Sequence, residues 1–154
     1  LRPWTAYDEP GIRYFSGTAT YGATFNVEAA WLGGGRRLLL DLGRVDDLAE
    51  VRVNAQPVGI LWKTPFRVDV TQAVRAGENR LEVAVTNQWT NRMTGDGVVP
   101  PEQRVLDAGG RGGGSGVGGP RMGAGGAAPR VATSGLSGPV TLHVETPAEH
   151  PAYR

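Results

Sequence analysis

Apolar and polar residues alternate one for one along much of this chain. That period of two, in place of the 3.6 of an amphipathic helix, limits what it can fold into. Phe66-Arg67-Val68-Asp69-Val70 and Leu81-Glu82-Val83-Ala84-Val85-Thr86 alternate without a break. Successive side chains of an extended strand point to opposite faces, so each segment buries one face and wets the other. By the same reading Leu38, Leu40 and Leu42 share one face of a strand over 37–42, Val51 and Val53 one face over 48–54, and 140–144 forms a closing strand. The stretch 12–27 is dense in aromatic and β-branched residues and predicts one long strand or two. Gly, Pro, Asn and Asp separate these segments, as in the turn signal at 76–79. Seven or eight short strands of this kind predict an all-β, antiparallel sandwich or barrel. The helix candidates are single turns such as 69–74, with Thr71 as cap.

Length and composition narrow the function. At 154 residues the chain reads as one domain, 1–154, large enough for its own core. Sixteen basic and fifteen acidic residues leave a net charge of +1, so no global field draws the chain to nucleic acid or to a membrane surface. The absence of cysteine removes disulfides and thiolate chemistry, and His143 and His150 alone cannot form a three-histidine zinc site. No apolar run reaches the roughly 18 residues of a membrane helix. A start at Leu1 rather than methionine fits a piece of a longer parent. Eleven of the 24 glycines fall in 108–128, where few side chains can offset an ordering cost of about 1–2 kcal/mol per residue, which predicts a flexible loop.

The run Leu39-Leu40-Asp41-Leu42-Gly43-Arg44-Val45-Asp46-Asp47-Leu48-Ala49-Glu50-Val51-Arg52-Val53-Asn54, then Pro57-Val58-Gly59 and Trp62-Lys63-Thr64-Pro65-Phe66, resembles the galactose-binding-like sandwich domains of large glycoside hydrolases. Its continuation through Gly77-Glu78-Asn79-Arg80-Leu81, Thr86-Asn87-Gln88-Trp89 and Asn91-Arg92 is similar to the C-terminal ancillary domain of family 106 α-L-rhamnosidases and to the sugar-binding domain of family 2 enzymes. Ser134-Gly135-Leu136-Ser137-Gly138-Pro139-Val140 looks like the closing strand of that group. The resemblance implies an antiparallel jelly-roll β-sandwich of about eight strands that serves as a non-catalytic carbohydrate-binding module, partnered with a parent catalytic domain that carries the hydrolytic carboxylates. It also implies a secreted or periplasmic parent. The chain departs from the group in two places. Asn54-Ala55-Gln56 stands where Asn-Gly is usual, so a left-handed Ala55 would cost about 1 kcal/mol. Glycine and alanine replace aromatic residues before the Ser-Gly-Leu motif.

A sugar ring presents apolar C–H faces and a hydroxyl rim, so its site needs an exposed aromatic plane beside paired polar groups. Asn87, Gln88, Trp89, Asn91, Arg92 and Asp96, on a polar segment past a strand end, supply such a neighbourhood, and Trp62 and Lys63 can join it. The competing reading packs Trp62 beneath Pro65 and Phe66, sets Trp89 over a core edge, and uses Asn87 to close a turn. Trp31 reads as an exposed loop residue and Trp4 with Tyr7 as an N-terminal anchor, both weaker candidates for sugar contact. Neighbouring Asp46 and Asp47 point apart on an extended chain and cannot flank a glycosidic bond, so they read as turn residues with an Asx-type bond to a backbone N–H. No cofactor is expected, and a structural calcium on Asp8, Glu9, Glu145 or Glu149 is the one metal alternative. His143 reads as surface-facing. Gly114-Ser115-Gly116-Val117-Gly118-Gly119 follows no strand and opens no helix, which argues against a dinucleotide site. Neither a serine-hydrolase nor an RNA-binding constellation assembles.

Overall fold

The computed structural model describes residues 1–105 and 131–146; the predicted glycine-rich loop at 108–128 lies outside them, as do Glu149 and His150. Among the described residues nine strands run in chain order as β1 (Thr18–Val27), β2 (Arg37–Asp41), β3 (Arg44–Asp46), β4 (Leu48–Val53), β5 (Gln56–Leu61), β6 (Arg67–Asp69), β7 (Gly77–Thr86), β8 (Gly135–Gly138) and β9 (Thr141–Glu145). A four-stranded sheet ordered β1-β7-β4-β5 stacks on a three-stranded sheet ordered β6-β2-β9, and β3 pairs with β8 as a short ladder. All pairings are antiparallel, as the alternation predicts.

The alternation sets the core. Ala49, Val51 and Val53 of β4 meet Val85, Val83 and Leu81 of β7 across the ladder and are buried with them. Leu38, Leu40 and Leu42 close the core from the second sheet. Leu39 points to the opposite face and is nevertheless buried, between Asp69 of β6 and His143 of β9.

Three local expectations are corrected. The segment 12–27 becomes a strand only from Thr18, because Pro10 opens a helical turn, α1 (Pro10–Arg13), and Phe15 packs edge-to-face on Trp4 with centroids 5.2 Å apart. Trp31 is half-buried against the core instead of standing free in a loop. The polar segment after β7 folds into a nine-residue helix, α2 (Thr90–Val98), although Asn, Thr and two glycines make it a weak helix former. Tertiary bonds hold it. The Asn91 amide donates to the Ala132 carbonyl and to Ser134 Oγ, and the Arg92 backbone N–H donates to Ser16 Oγ. Gly95 lies so close to Tyr14 that an added Cβ would stand 2.6 Å from its Cβ.

The hairpin between β4 and β5 turns on Asn54 and Ala55, both at positive φ (52° and 66°), the backbone signature of a type I′ turn. Asn54 tethers it: the side-chain amide donates to the Ala73 carbonyl and to Asn79 Oδ1, and Oδ1 accepts from the Arg80 N–H. Among the described residues no helix is long and apolar enough to cross a membrane.

Candidate functional site

One end of the four-stranded sheet collects the residues in question. Ala49 of β4 pairs with Leu61 of β5 and with Val85 of β7, and Leu48 pairs with Thr86. Asp47, Trp62 and Asn87 therefore emerge from neighbouring strands at a common end. Trp62 and the β7 exit are separated sideways by two strand spacings, about 10 Å.

Trp62 and Trp89 are 68% and 63% exposed there. Neither packs as a core residue, so the packing alternative does not describe them. Lys63 Nζ stands 5.1 Å from the Trp62 ring centroid, a cation–π distance that covers part of one ring face.

The polar partners expected beside them are mostly engaged inside the protein. Asn87 is buried, accepts from the Gly17 N–H and donates to the Phe15 carbonyl, closing the β1–β7 end as the competing reading held. Asn91 is 1% exposed; besides its two donated bonds it accepts from the Ala132 N–H. Arg92 and Asp96 form a largely buried i,i+4 ion pair, and Asp96 also accepts from the Val105 N–H. All four position α2 and its neighbours rather than offering free hydrogen-bonding groups.

Beside Trp89 opens a pocket of about 250 Å³, whose polar walls include Asp46, Asp47, Gln88, Thr90, Asn91 and Thr133. Asp47 sits at φ 79°, and its Oδ1 accepts from Gln88 Nε2 at 2.9 Å. Its partner is thus a side-chain amide rather than the backbone N–H expected of an Asx turn. Asp46 belongs to β3, opposite Gly135 of β8. Its Oδ1 faces Arg44 at 3.5 Å, while Oδ2 is buried with no hydrogen-bond partner among the described residues. A buried carboxylate oxygen left without a donor is costly, whereas the exposed Asp47 carboxylate beside it is open to a ligand hydroxyl. Sequence reasoning set Asp46 and Asp47 aside as turn residues. The orphan oxygen arises from pairing with a strand about 90 residues away, which no local spacing reveals.

The other expectations sort as follows. Trp4 is buried, with Nε1 donating to the Tyr21 hydroxyl, and Tyr7 carries Arg2 over its ring at 3.7 Å, so both anchor the N-terminal segment. His143 is exposed, its Nε2 2.8 Å from Thr141 Oγ1. Asp8, Glu9 and Glu145 do not converge: no group of three or more His, Asp or Glu among the described residues could hold a metal ion.

A stacked antiparallel sandwich with exposed tryptophans and a polar pocket at one end has the build of an ancillary domain of a carbohydrate-active enzyme. Residues 3–104 match the family model described as glycosyl hydrolases family 2, sugar binding domain, and the chain belongs to that family. It is the family's sugar-binding domain and not its catalytic domain. A Formosa agariphila protein, assigned provisionally by its name to the beta-glucuronidases, is 54% identical over 100 residues, 65% of this chain. The rhamnosidase from Novosphingobium sp. PP1Y superposes with a TM-score of 0.71 at 41% identity over 94% of the chain. A Bifidobacterium dentium beta-glucuronidase superposes with a TM-score of 0.50 at 34% identity over 55%. The chain spans 9% of the Formosa protein and 12% of the Novosphingobium one.

Proposed function

We propose that this chain is the non-catalytic carbohydrate-binding module of a larger glycoside hydrolase, meeting sugar at the end of the sandwich where Trp62 and Trp89 are exposed. The observation that carries this reading is the polar pocket beside exposed Trp89, whose wall holds the exposed carboxylate of Asp47 next to Gln88 and Thr90. A carboxylate oxygen accepts sugar hydroxyls, and an indole plane takes the apolar ring face. Binding here breaks no bond. A shallow site of this size gives weak affinity, because ordering a glycan consumes much of the contact energy. Calorimetric titration with rhamnose-containing and galactose-containing oligosaccharides tests it, with Asp47→Asn and Trp89→Ala as controls. Heat released by the native chain and lost in both variants is the expected result; silence across the panel overturns the reading.

The parent reaction we propose is α-L-rhamnoside hydrolysis, by a secreted or periplasmic enzyme that meets its glycan outside the cytoplasm. In support, the likeness to the Novosphingobium rhamnosidase extends over 94% of the chain, against 55% for the Bifidobacterium glucuronidase. Assay of the full-length parent on aryl α-L-rhamnoside and aryl β-D-glucuronide decides between the two glycones.

A second reading, an accessory domain packed on the parent's catalytic domain and binding no ligand, is favoured by one feature. Trp89 and Met93, four residues apart around α2, are both exposed (63% and 64%). Acrylamide quenching separates the readings: a tryptophan open in the isolated chain and shielded in the parent is a packing residue.

A further inference from the structure

A second groove lies at the opposite end of the sandwich, about 20 Å from Trp62 along β5 at 3.3 Å per residue. It encloses about 580 Å³ between the edges of the two sheets. The three-glycine turn 33–35, with φ of 87°, 61° and 73°, delivers Arg36 to its rim. Opposite stand Gln56 and Pro57 at the start of β5, and Gln72 in the turn after β6.

The charges there are unequally matched. Arg37 donates to Asp69 at 3.0 Å, and Asp69 also accepts the backbone N–H and the hydroxyl of Thr71. The Asp69 charge is thus matched by Arg37. Arg36 has no acidic partner among the described residues: its one side-chain hydrogen bond there runs from Nη1 to the Ala30 carbonyl at 2.9 Å. The bond fixes the guanidinium at the rim and leaves most of its five N–H donors free. Gln56 and Gln72 are exposed, and neither side chain bonds within the described structure. The groove thus offers one fixed, unneutralised guanidinium, two free amides that can donate and accept, and a proline ring as an apolar patch.

From this arrangement we infer a second glycan site, for a sugar residue bearing an oxyanion, the carboxylate of a uronate or a sulfate ester. Arg36 takes the oxyanion with paired N–H donors. Gln56 and Gln72 take ring hydroxyls, and the Pro57 ring lies against the apolar face. A single free cation without an aromatic stacking surface does not suit single-stranded nucleic acid. Two acceptor-donor amides beside it suit a hydroxyl-rich ring. This site is independent of the one at the tryptophan end, and each can fail without the other.

The test is calorimetric titration of the chain with trigalacturonate, sulfated galactotriose and neutral galactotriose, repeated with Arg36→Gln and Gln72→Ala. Either acidic trisaccharide, or both, should bind more tightly than the neutral one, and the arm that binds identifies the oxyanion. Loss of the guanidinium should weaken that binding roughly tenfold or more, as removal of a charge-assisted bond does. Gln72→Ala should weaken it less, and raised salt should weaken it further. Thermal unfolding checks that both surface variants fold. The inference is overturned if the acidic trisaccharides bind no better than the neutral one, or if Arg36→Gln leaves their affinity unchanged.

Discussion

At the scale of single residues, backbone conformation and close contact override chemical type. Ala55 occupies a left-handed position, φ 66°, where a Cβ is unfavourable. Ala55→Gly should therefore stabilise the chain by about 1 kcal/mol. For a protein of this size that is a rise of about 2–4 °C in thermal midpoint, readable by circular dichroism. Gly95→Ala should do the reverse. Alanine is the better helix former, yet its Cβ would stand 2.6 Å from Tyr14 Cβ, and overpacking of that kind costs about 1–3 kcal/mol. A midpoint above that of the native chain would show that α2 shifts freely away from Tyr14. The strain at Ala55 was legible from the missing Asn-Gly pair alone. The Tyr14 contact was not, because it joins residues 81 positions apart.

Among the elements, strands followed the alternation and α2 did not. Its residues predict a loop, and its helix rests on bonds to Ser16, Ala132 and Ser134. Asn91→Ala removes the amide that serves both 132 and 134, and the groups left buried should lower stability by about 1–3 kcal/mol. Urea unfolding, with the slope unchanged and the midpoint lowered, is the expected record. The β6-β2-β9 sheet carries a pH dependence. The Arg67 guanidinium, helped by the Gly43 N–H, holds Asp41 below the ordinary 3.8, and the Thr71 hydroxyl and N–H, with Arg37, do the same for Asp69. A depressed carboxylate binds fewer protons in the folded state than in the unfolded one. Its contribution is complete above 3.8 and is lost as pH falls through the lower folded values. Asp41→Asn should flatten that acid limb in a series of thermal scans and leave the neutral region parallel to the native curve.

Taken whole, the molecule stacks its two main sheets on one shared hydrophobic cluster that reaches from Trp4 to Leu136. Calorimetric unfolding should therefore give a single transition; two resolved transitions would mean that the sheets are independent units. What the sequence by itself determined is the sandwich: a two-residue period assigns each side chain to a face using neighbours alone, and the motif run from Leu39 to Arg92 carries the family. Only tertiary structure decided which polar residues are free. Asn87, Asn91, Arg92 and Asp96 are the types a sugar site needs, yet each is occupied by groups distant in sequence or folded into α2. Asp47 and Arg36, set aside or passed over in the sequence, are charged groups that the fold leaves without an oppositely charged partner among the described residues of these two pockets. Hydrogen-bond satisfaction depends on which strands and turns meet, and that meeting is a property of the packed chain rather than of any local spacing.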